Sequence, residues 1–316
     1  MFEKILRNFL EKPSKKKKLI VIYGPTASGK TDMSIEIAKY LDTQIISTDS
    51  RQIFTYMDVG TGKITREEMQ WVVHHMLDII TPDEKFSVWD FVAQCESIMD
   101  DIWSTGKIPM LVWGTWLYID SLIFERNAPT IPANPKLRAE LDALTNTELY
   151  KKLEEIDPEY ARELHENNRP YVERWIEIKL ETGKSKMQFR SKKILKYEVL
   201  FLNAGYKYDS QLWYPENQNI IFTPEYRAWL YERINMRVEQ MFDSWAEKEF
   251  FELLNRWYTK EDFGMNTIGY KEFFPYVEWE ISREACIESI QQHSRNYAKR
   301  QLTWFKKYQE RETDFL

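Results

Sequence analysis

Residues 24–31 read GPTASGKT, a full match to the pattern G-x-x-x-x-G-K-[ST]. In that pattern backbone amides curl round phosphate oxygens, and a helix opening at the second glycine adds the partial positive charge of its N-terminus. Gly24, Pro25, Thr26, Ala27, Ser28 and Gly29 form the loop, Lys30 adds a point charge, and Thr31 offers a hydroxyl suited to Mg²⁺. The pattern specifies a polyphosphate without saying which one. Asp49 follows a short apolar run at 44–47 and sits in a polar stretch. A carboxylate there can hold a metal or take a proton from a nucleophile; it can equally close an Asx turn or cap a helix.

Residues 294–301 read SRNYAKRQ and open a basic segment containing Arg295, Lys299, Arg300, Lys306 and Lys307. No Asp or Glu lies between Ser289 and Tyr308, and Tyr297, Trp304 and Phe305 are interleaved with the cations. Arg295 and Lys299 are i,i+4 neighbours on one helical face. That mixture suits a phosphate backbone with aromatic support, the alternative being a solvated helix face. His74 and His75 have no cysteine nearby and only His165 and His293 elsewhere. They do not make a zinc site, and hydrogen bonding beside the Asp49 loop is expected of them instead.

These groups need elements to hold them. The apolar run 19–23 reads as a buried strand, followed by the glycine loop and a helix over 31–41 with Met33, Ile37, Ala38 and Leu41 on one stripe. A second strand is expected at 44–47 and another at 108–113. Thr65–Glu68 and Ser87–Asp90 have capping-box form, the second opening a helix to about Ser104 that Gly106 ends. Strands alternating with helices specify an α/β fold with a parallel sheet, ligands binding at the strands' carboxyl ends. Three prolines in 127–135 change the texture, and 136–186 is charged and helix-forming. A strand-like run returns at 197–203, and long helices are expected over 223–257 and 282–308. The predicted organisation is a catalytic core over 18–128 and 196–316, interrupted by a helical insertion over 129–195.

Composition sets bounds. With 44 basic and 50 acidic side chains the formal charge is −6, so a nucleic-acid partner must be met by a local patch. Two isolated cysteines, Cys95 and Cys286, give no disulfide framework and suit a reducing cytoplasm. No apolar run approaches the ~18–20 residues that span a bilayer. The N-terminus carries its lysines after its apolar residues and is cut by Pro13, unlike a secretory signal. Twelve tryptophans against ten glycines is an odd balance, because glycine averages ~7%.

Taken in order, these segments resemble the bacterial tRNA dimethylallyltransferases. The likeness runs through GPTASGKT at 24–31, STDSRQIF at 47–54, MDVGTGK at 57–63, VHHMLDI at 73–79, FSVWDF at 86–91 and GKIPMLVWGTWLY at 106–118. It continues through RINMRVEQM at 233–241, IGYKEF at 268–273 and YAKRQLTWF at 297–305. The resemblance implies a P-loop NTPase-like core with a helical insertion and C-terminal helices. It implies transfer of a dimethylallyl group from dimethylallyl diphosphate to N6 of adenosine 37, beside the anticodon, with Mg²⁺. By that likeness Thr26–Thr31 cradle the diphosphate, Asp49 takes the N6 proton, Thr115 lies near adenosine and donor, and Arg233 or Arg237 assists the leaving group. Asp49, Ser50, Arg51, Gln52, Thr115, Arg138 and Arg174 fall on tRNA-contacting positions. So do Met265, Asn266, Thr267, Ile268, Gly269 and Tyr270, and then Ser294, Arg295, Asn296, Tyr297, Ala298, Lys299, Arg300 and Gln301. One chain carries every motif, so a monomer suffices. The rival readings are an adenylate isopentenyltransferase, which has little use for the insertion or the basic helix, and a small-molecule P-loop kinase, which shares the loop alone.

The chain departs from the family pattern at several places. Phe54 replaces a tyrosine, and HENNRPYVER at 165–174 has Asn168 for Asp and Tyr171 for the first Arg, keeping Arg174. Trp113, Trp116 and Trp245 stand where the family has glycine, two of them bracketing Gly114-Thr115. With glycine scarce throughout, the expectation is that some tryptophan codons are UGA, read as glycine in the source cell.

Overall fold

The computed structural model describes residues 2–112, 114–125, 131, 134–189, 194–209 and 221–312. Five strands make one parallel sheet: β1 (Lys18–Tyr23), β2 (Ile45–Ser47), β3 (His74–His75), β4 (Met110–Val112) and β5 (Glu198–Asn203), in the order β3-β2-β4-β1-β5. Leu19–Ile22 of β1 are wholly buried, as a strand covered on both faces requires. The two-residue edge strand β3 carries too few residues to show an alternation, and its sequence gave no strand expectation.

Helix α1 (Phe2–Glu11), also not expected, sends Leu6 and Phe9 into the cluster that includes Ile20, Ile22 and Ile37. Helix α2 is Lys30–Leu41. Short helix α3 (Arg66–Met69) and long helix α4 (Val88–Ser104) start at Thr65 and Ser87, each with its capping box formed. Helix α5 (Trp116–Ile123) leaves the turn after β4.

The chain divides into two compact units, 1–123 with 196–316, and 124–195. The second unit holds α6 (Pro135–Asp142), α7 (Asn146–Ile156), α8 (Pro158–Ala161) and α9 (Arg169–Thr182) around Leu149, Leu153, Val172 and Ile176. The first unit closes with α10 (Pro224–Ser244), α11 (Ala246–Asn255), α12 (Phe273–Val277) and α13 (Arg283–Glu312). The single helix expected over 223–257 is thus two, broken at Trp245, whose φ of −150° leaves the helical region. Among the described residues no helix is long and apolar enough to cross a membrane.

Candidate active site

The glycine loop joins β1 to α2, and Gly29, the N-cap, sits at φ 98°, a left-handed backbone that glycine adopts without a Cβ clash. Lys30 folds back over the loop, its Nζ donating to the carbonyls of Gly24 at 2.9 Å and Pro25 at 2.8 Å. Burial pushes the Lys30 ammonium down to about 7; nearby Asp49 opposes that shift and nearby Arg237 reinforces it. Helix α10 supplies both arginines, four residues apart. Arg233 Nε donates to the Ala27 carbonyl at 2.8 Å and Arg237 Nη2 to the Gly62 carbonyl at 3.3 Å. Burial lowers the pKa of Arg237, with Asp49 pulling it back up.

Asp49 lies past β2, and its Oδ1 accepts from the Arg51 amide at 2.8 Å, so the Asx turn is present. Its other oxygen faces Gly114: a β-carbon built at 114 would overlap the carboxylate, and glycine alone fits. Thr115 is fixed on three sides. Its amide donates to the Thr48 carbonyl at 2.8 Å, its hydroxyl accepts from the Ser50 amide at 2.9 Å and donates to the Ser50 hydroxyl at 2.9 Å. Trp113 lies outside the described residues.

Helix α13 clasps these loops together. Gln301 Oε1 accepts from the Thr26 amide at 2.8 Å, while Gln301 Nε2 and the Tyr297 hydroxyl donate to the Gly114 carbonyl at 3.4 Å and 3.0 Å. Two members of SRNYAKRQ therefore face inward, Ala298 is buried, and Asn296, Lys299 and Arg300 are exposed. Arg295 is half-buried and donates to Asn235 Oδ1 at 2.6 Å, which ties α13 to α10. Ser294 is half-buried.

Of the segment 265–270, Met265, Thr267, Gly269 and Tyr270 are buried, Ile268 is half-buried and Asn266 is exposed. Tyr270 lies over Gly60 and gives its hydroxyl to Glu249 at 2.5 Å. The Glu249 carboxylate also accepts the amides of Asp58 at 2.9 Å, Val59 at 2.8 Å and Gly60 at 3.2 Å. Glu249 thereby fixes the loop whose Gly62 carbonyl receives both Arg237 and Gln52 Nε2. Nothing in the sequence singles out Glu249, one of many acids on amphipathic helices. Lys63, also missed, is buried and reaches Asp58 and Asp78 at 2.6 Å each; its signal was the pairing of MDVGTGK with HHMLDI.

His75 Nε2 bonds Gln44 Oε1 at 2.6 Å and His74 Nδ1 the Val72 carbonyl at 2.9 Å, so both serve the sheet edge. Burial lowers both imidazole pKa values. In the helical unit Arg138 and Arg174 converge on Glu177: Arg138 bidentately at 2.7 and 3.0 Å, Arg174 at 2.8 Å.

Among the described residues no group of three or more His, Cys, Asp or Glu could hold a metal ion. Mg²⁺ bound through phosphates needs only one or two protein oxygens and retains water. The exposed Thr31, Asp49 and the buried Ser28 hydroxyl, which has no hydrogen-bond partner, fit that requirement.

Comparison with known proteins gives the same outline. A family model described as IPP transferase matches residues 52–308, and one described as isopentenyl transferase matches residues 17–80. A tRNA dimethylallyltransferase of Thermoanaerobacter sp. (strain X514) is 38% identical over 296 residues, covering 92% of this chain and 89% of its own. The crystal structure of a tRNA delta(2)-isopentenylpyrophosphate transferase from Staphylococcus epidermidis is 37% identical, with a TM-score of 0.61, covering 92% of this chain and 90% of that one. A eukaryotic dimethylallyltransferase acting on tRNA is 29% identical, with a TM-score of 0.74, covering 91% of this chain and 69% of that one.

Proposed function

This chain belongs to the IPP transferase family and is a tRNA prenyltransferase, and from that premise we propose how its residues divide the work. The donor is dimethylallyl diphosphate and the acceptor is N6 of adenosine 37 in the tRNA anticodon stem-loop. The observation that carries this division is the meeting of Lys30, Arg237 and Asp49 beside the Gly114-Thr115 turn. Two cations suit a diphosphate, and one carboxylate suits a proton.

In this reading the backbone amides of 24–31, with Lys30, hold the diphosphate. The N6 nitrogen attacks the allylic carbon, and the carbon–oxygen bond breaks with its electron pair going to the diphosphate. Charge then develops on the leaving group, where preorganised donors stabilise it without reorganising. Arg237 is near enough to Asp49 and Lys30 for their charges to act on one another, and Arg233 braces the phosphate loop through the Ala27 carbonyl; both assist, Arg237 the more directly. Asp49 accepts the N6 proton. Its Asx turn fixes the carboxylate rather than disqualifying it, because only Oδ1 is used. Thr115, held by Thr48 and Ser50, offers its hydroxyl to the adenine edge. Mg²⁺, bound through Thr31, would neutralise charge on the diphosphate. The target base must leave its stack, at a cost of a few kcal/mol that is least in a single-stranded loop.

The tRNA is assigned to the 49–52 stretch, the exposed Lys299 and Arg300, Asn266, and the helical insertion expected over 129–195, to which Arg138 and Arg174 contribute through their hold on Glu177 rather than by contacting RNA. A cytoplasmic monomer is sufficient for all of this. The test incubates purified protein with Mg²⁺, dimethylallyl diphosphate and an unmodified tRNA bearing adenosine at 37, followed by nucleoside mass spectrometry. Prenylated adenosine at 37 is expected. Prenylation of free AMP instead would identify an adenylate isopentenyltransferase, and ATP turnover without prenyl transfer would identify a kinase.

A further inference from the structure

Nine described non-glycine residues have a positive φ, and three of them are tryptophans: Trp71 at 71°, Trp257 at 72° and Trp279 at 62°. Only 12 of the 316 residues are tryptophan. A left-handed backbone presses Cβ against the neighbouring carbonyl, and only glycine avoids that cost; for a bulky side chain it is a genuine outlier.

Two of the three positions are also helix ends of a form that glycine dominates. After α11 the Trp257 amide donates to the Leu254 carbonyl at 2.9 Å and the Tyr258 amide to the Leu253 carbonyl at 3.2 Å. After α12 the Trp279 amide donates to the Tyr276 carbonyl at 3.1 Å and the Glu280 amide to the Pro275 carbonyl at 2.9 Å. Each pair is a Schellman closure, with the tryptophan at the left-handed position. Trp71 follows α3 by two residues, next to Gln70, itself left-handed.

The indoles do nothing there to offset the strain. Trp71, Trp257 and Trp279 are 101%, 89% and 92% exposed. Among the described residues none of these three rings meets another ring, a cation or a hydrogen-bond partner. Tryptophan is useful because it buries a large ring and satisfies its N–H, and elsewhere in this chain it does. Trp103 donates to the Lys18 carbonyl at 2.8 Å, Trp175 is 7% exposed in the helical unit's core, and Trp229 lies under Arg233.

We infer that the protein made by its own cell carries glycine at positions 71, 257 and 279, the three codons being UGA read as glycine. The inference stands on backbone conformation and exposure, independently of any enzymatic reading. It also moves the glycine count in the expected direction, from ten to thirteen in 316 residues. Two positions suspected from the sequence lack this signature. Trp116 begins α5 and stacks on Trp304 at 5.9 Å, and Trp245, at φ −150°, has Lys248 Nζ 4.0 Å above its ring.

The gene and its natural product decide the matter. UGA is expected at codons 71, 257 and 279 and UGG at 103, 175 and 229; UGG at the first three overturns the inference. Peptide mass spectrometry of the protein from its native cells should show glycine at 71, 257 and 279, and tryptophan at any of them overturns the assignment for that position. In the chain as written, Trp257→Gly and Trp279→Gly should each raise the thermal midpoint by about 2–4 °C, whereas Trp175→Gly should lower it. A midpoint that falls in both helix-end variants would also count against the inference.

Discussion

Two pairs of arginines in this molecule are handled in opposite ways. In the helical unit, Arg138 and Arg174 close on Glu177, whose side chain is 1% exposed. Burial alone would push the Glu177 carboxyl up, yet hydrogen bonds from the two arginines hold it below its ordinary value. Those charges are spent inside the fold. In the sheet unit, Arg233 and Arg237 meet backbone carbonyls, and among the described residues neither pairs with a carboxylate. Among the described residues, the acids that raise the Arg237 pKa against burial are Asp49 first and Glu68 second, and Asp49 is held by an amide rather than by an arginine. A buried cation without a partner is costly, so the second arrangement makes sense as an anion site and the first as a structural clamp.

The comparison is broken most severely at Asp49. Asp49→Asn preserves shape and removes the proton acceptor, so single-turnover prenylation should fall ~10²–10⁴-fold, the usual contribution of general-base catalysis. Binding of tRNA, measured separately, should hardly change; near-normal turnover would remove Asp49 from its role. The clamp should answer differently. Glu177→Ala leaves the partly exposed Arg138 and Arg174 without their shared acceptor and should cost about 1.5–3 kcal/mol in denaturant unfolding. Because the Glu177 pKa is depressed in the folded state, its contribution is present above the ordinary carboxylate pKa and lost as pH falls through the folded value. An equally stable Glu177→Ala protein would mean the arginines are free to bind something else.

Legibility followed how local each signal was. The P-loop, both capping boxes and the parallel sheet could be read because each is encoded in a few adjacent residues. The roles of Tyr297 and Gln301 could not. Their basic neighbours suggested an outward RNA-facing helix, and only the packing of α13 shows that these two turn inward to hold Thr26 and Gly114. Likewise, the resemblance makes Met265 and Tyr270 part of a contact segment, but the chain buries both in one apolar cluster, Tyr270 lying against Gly60. The edge strand at His74 was too short for any period to show. The break at Trp245 was hidden because apolar spacing continues across it.

Glu249 sharpens the comparison, since it is an acid that holds a loop through three amides and the Tyr270 hydroxyl rather than through a cation. Glu249→Ala should release residues 58–60 and let the Gly62 carbonyl drift from Arg237, lowering kcat by up to about 10²-fold. Glu249→Gln, which keeps one acceptor oxygen, should recover part of that loss. If both variants have wild-type kcat with lowered thermal midpoints, the residue is structural only. At the surface, Lys299→Ala should flatten the salt dependence of tRNA binding by about 0.7–0.9 in the log–log slope, one phosphate's worth. Arg295→Ala should instead act through the lost Asn235 contact and lower stability. An unchanged slope for Lys299→Ala would make that face a merely solvated one.

The smallest effect is the most direct reading of the open charge. Burial holds Lys30 near 7 in the free protein, so at pH 8 most molecules carry it neutral, and at pH 6 most carry it charged. A diphosphate against the loop favours the ammonium and raises its pKa. Binding at pH 8 should therefore take up a proton, approaching one per site, and binding at pH 6 should take up much less. Calorimetric titration of dimethylallyl diphosphate in buffers of different ionisation enthalpy reads that number. The Lys30→Met protein should show no such uptake, whatever affinity it retains. The sign also fixes a stability test on the free enzyme. The unfolded chain binds the Lys30 proton more tightly than the folded one, so between pH 7 and the ordinary lysine pKa the wild type should gain stability relative to Lys30→Met as pH rises. Proton release at pH 8, or a relative loss of stability with rising pH, would show that Lys30 is already paired with an anionic group of the fold, as Arg138 and Arg174 are.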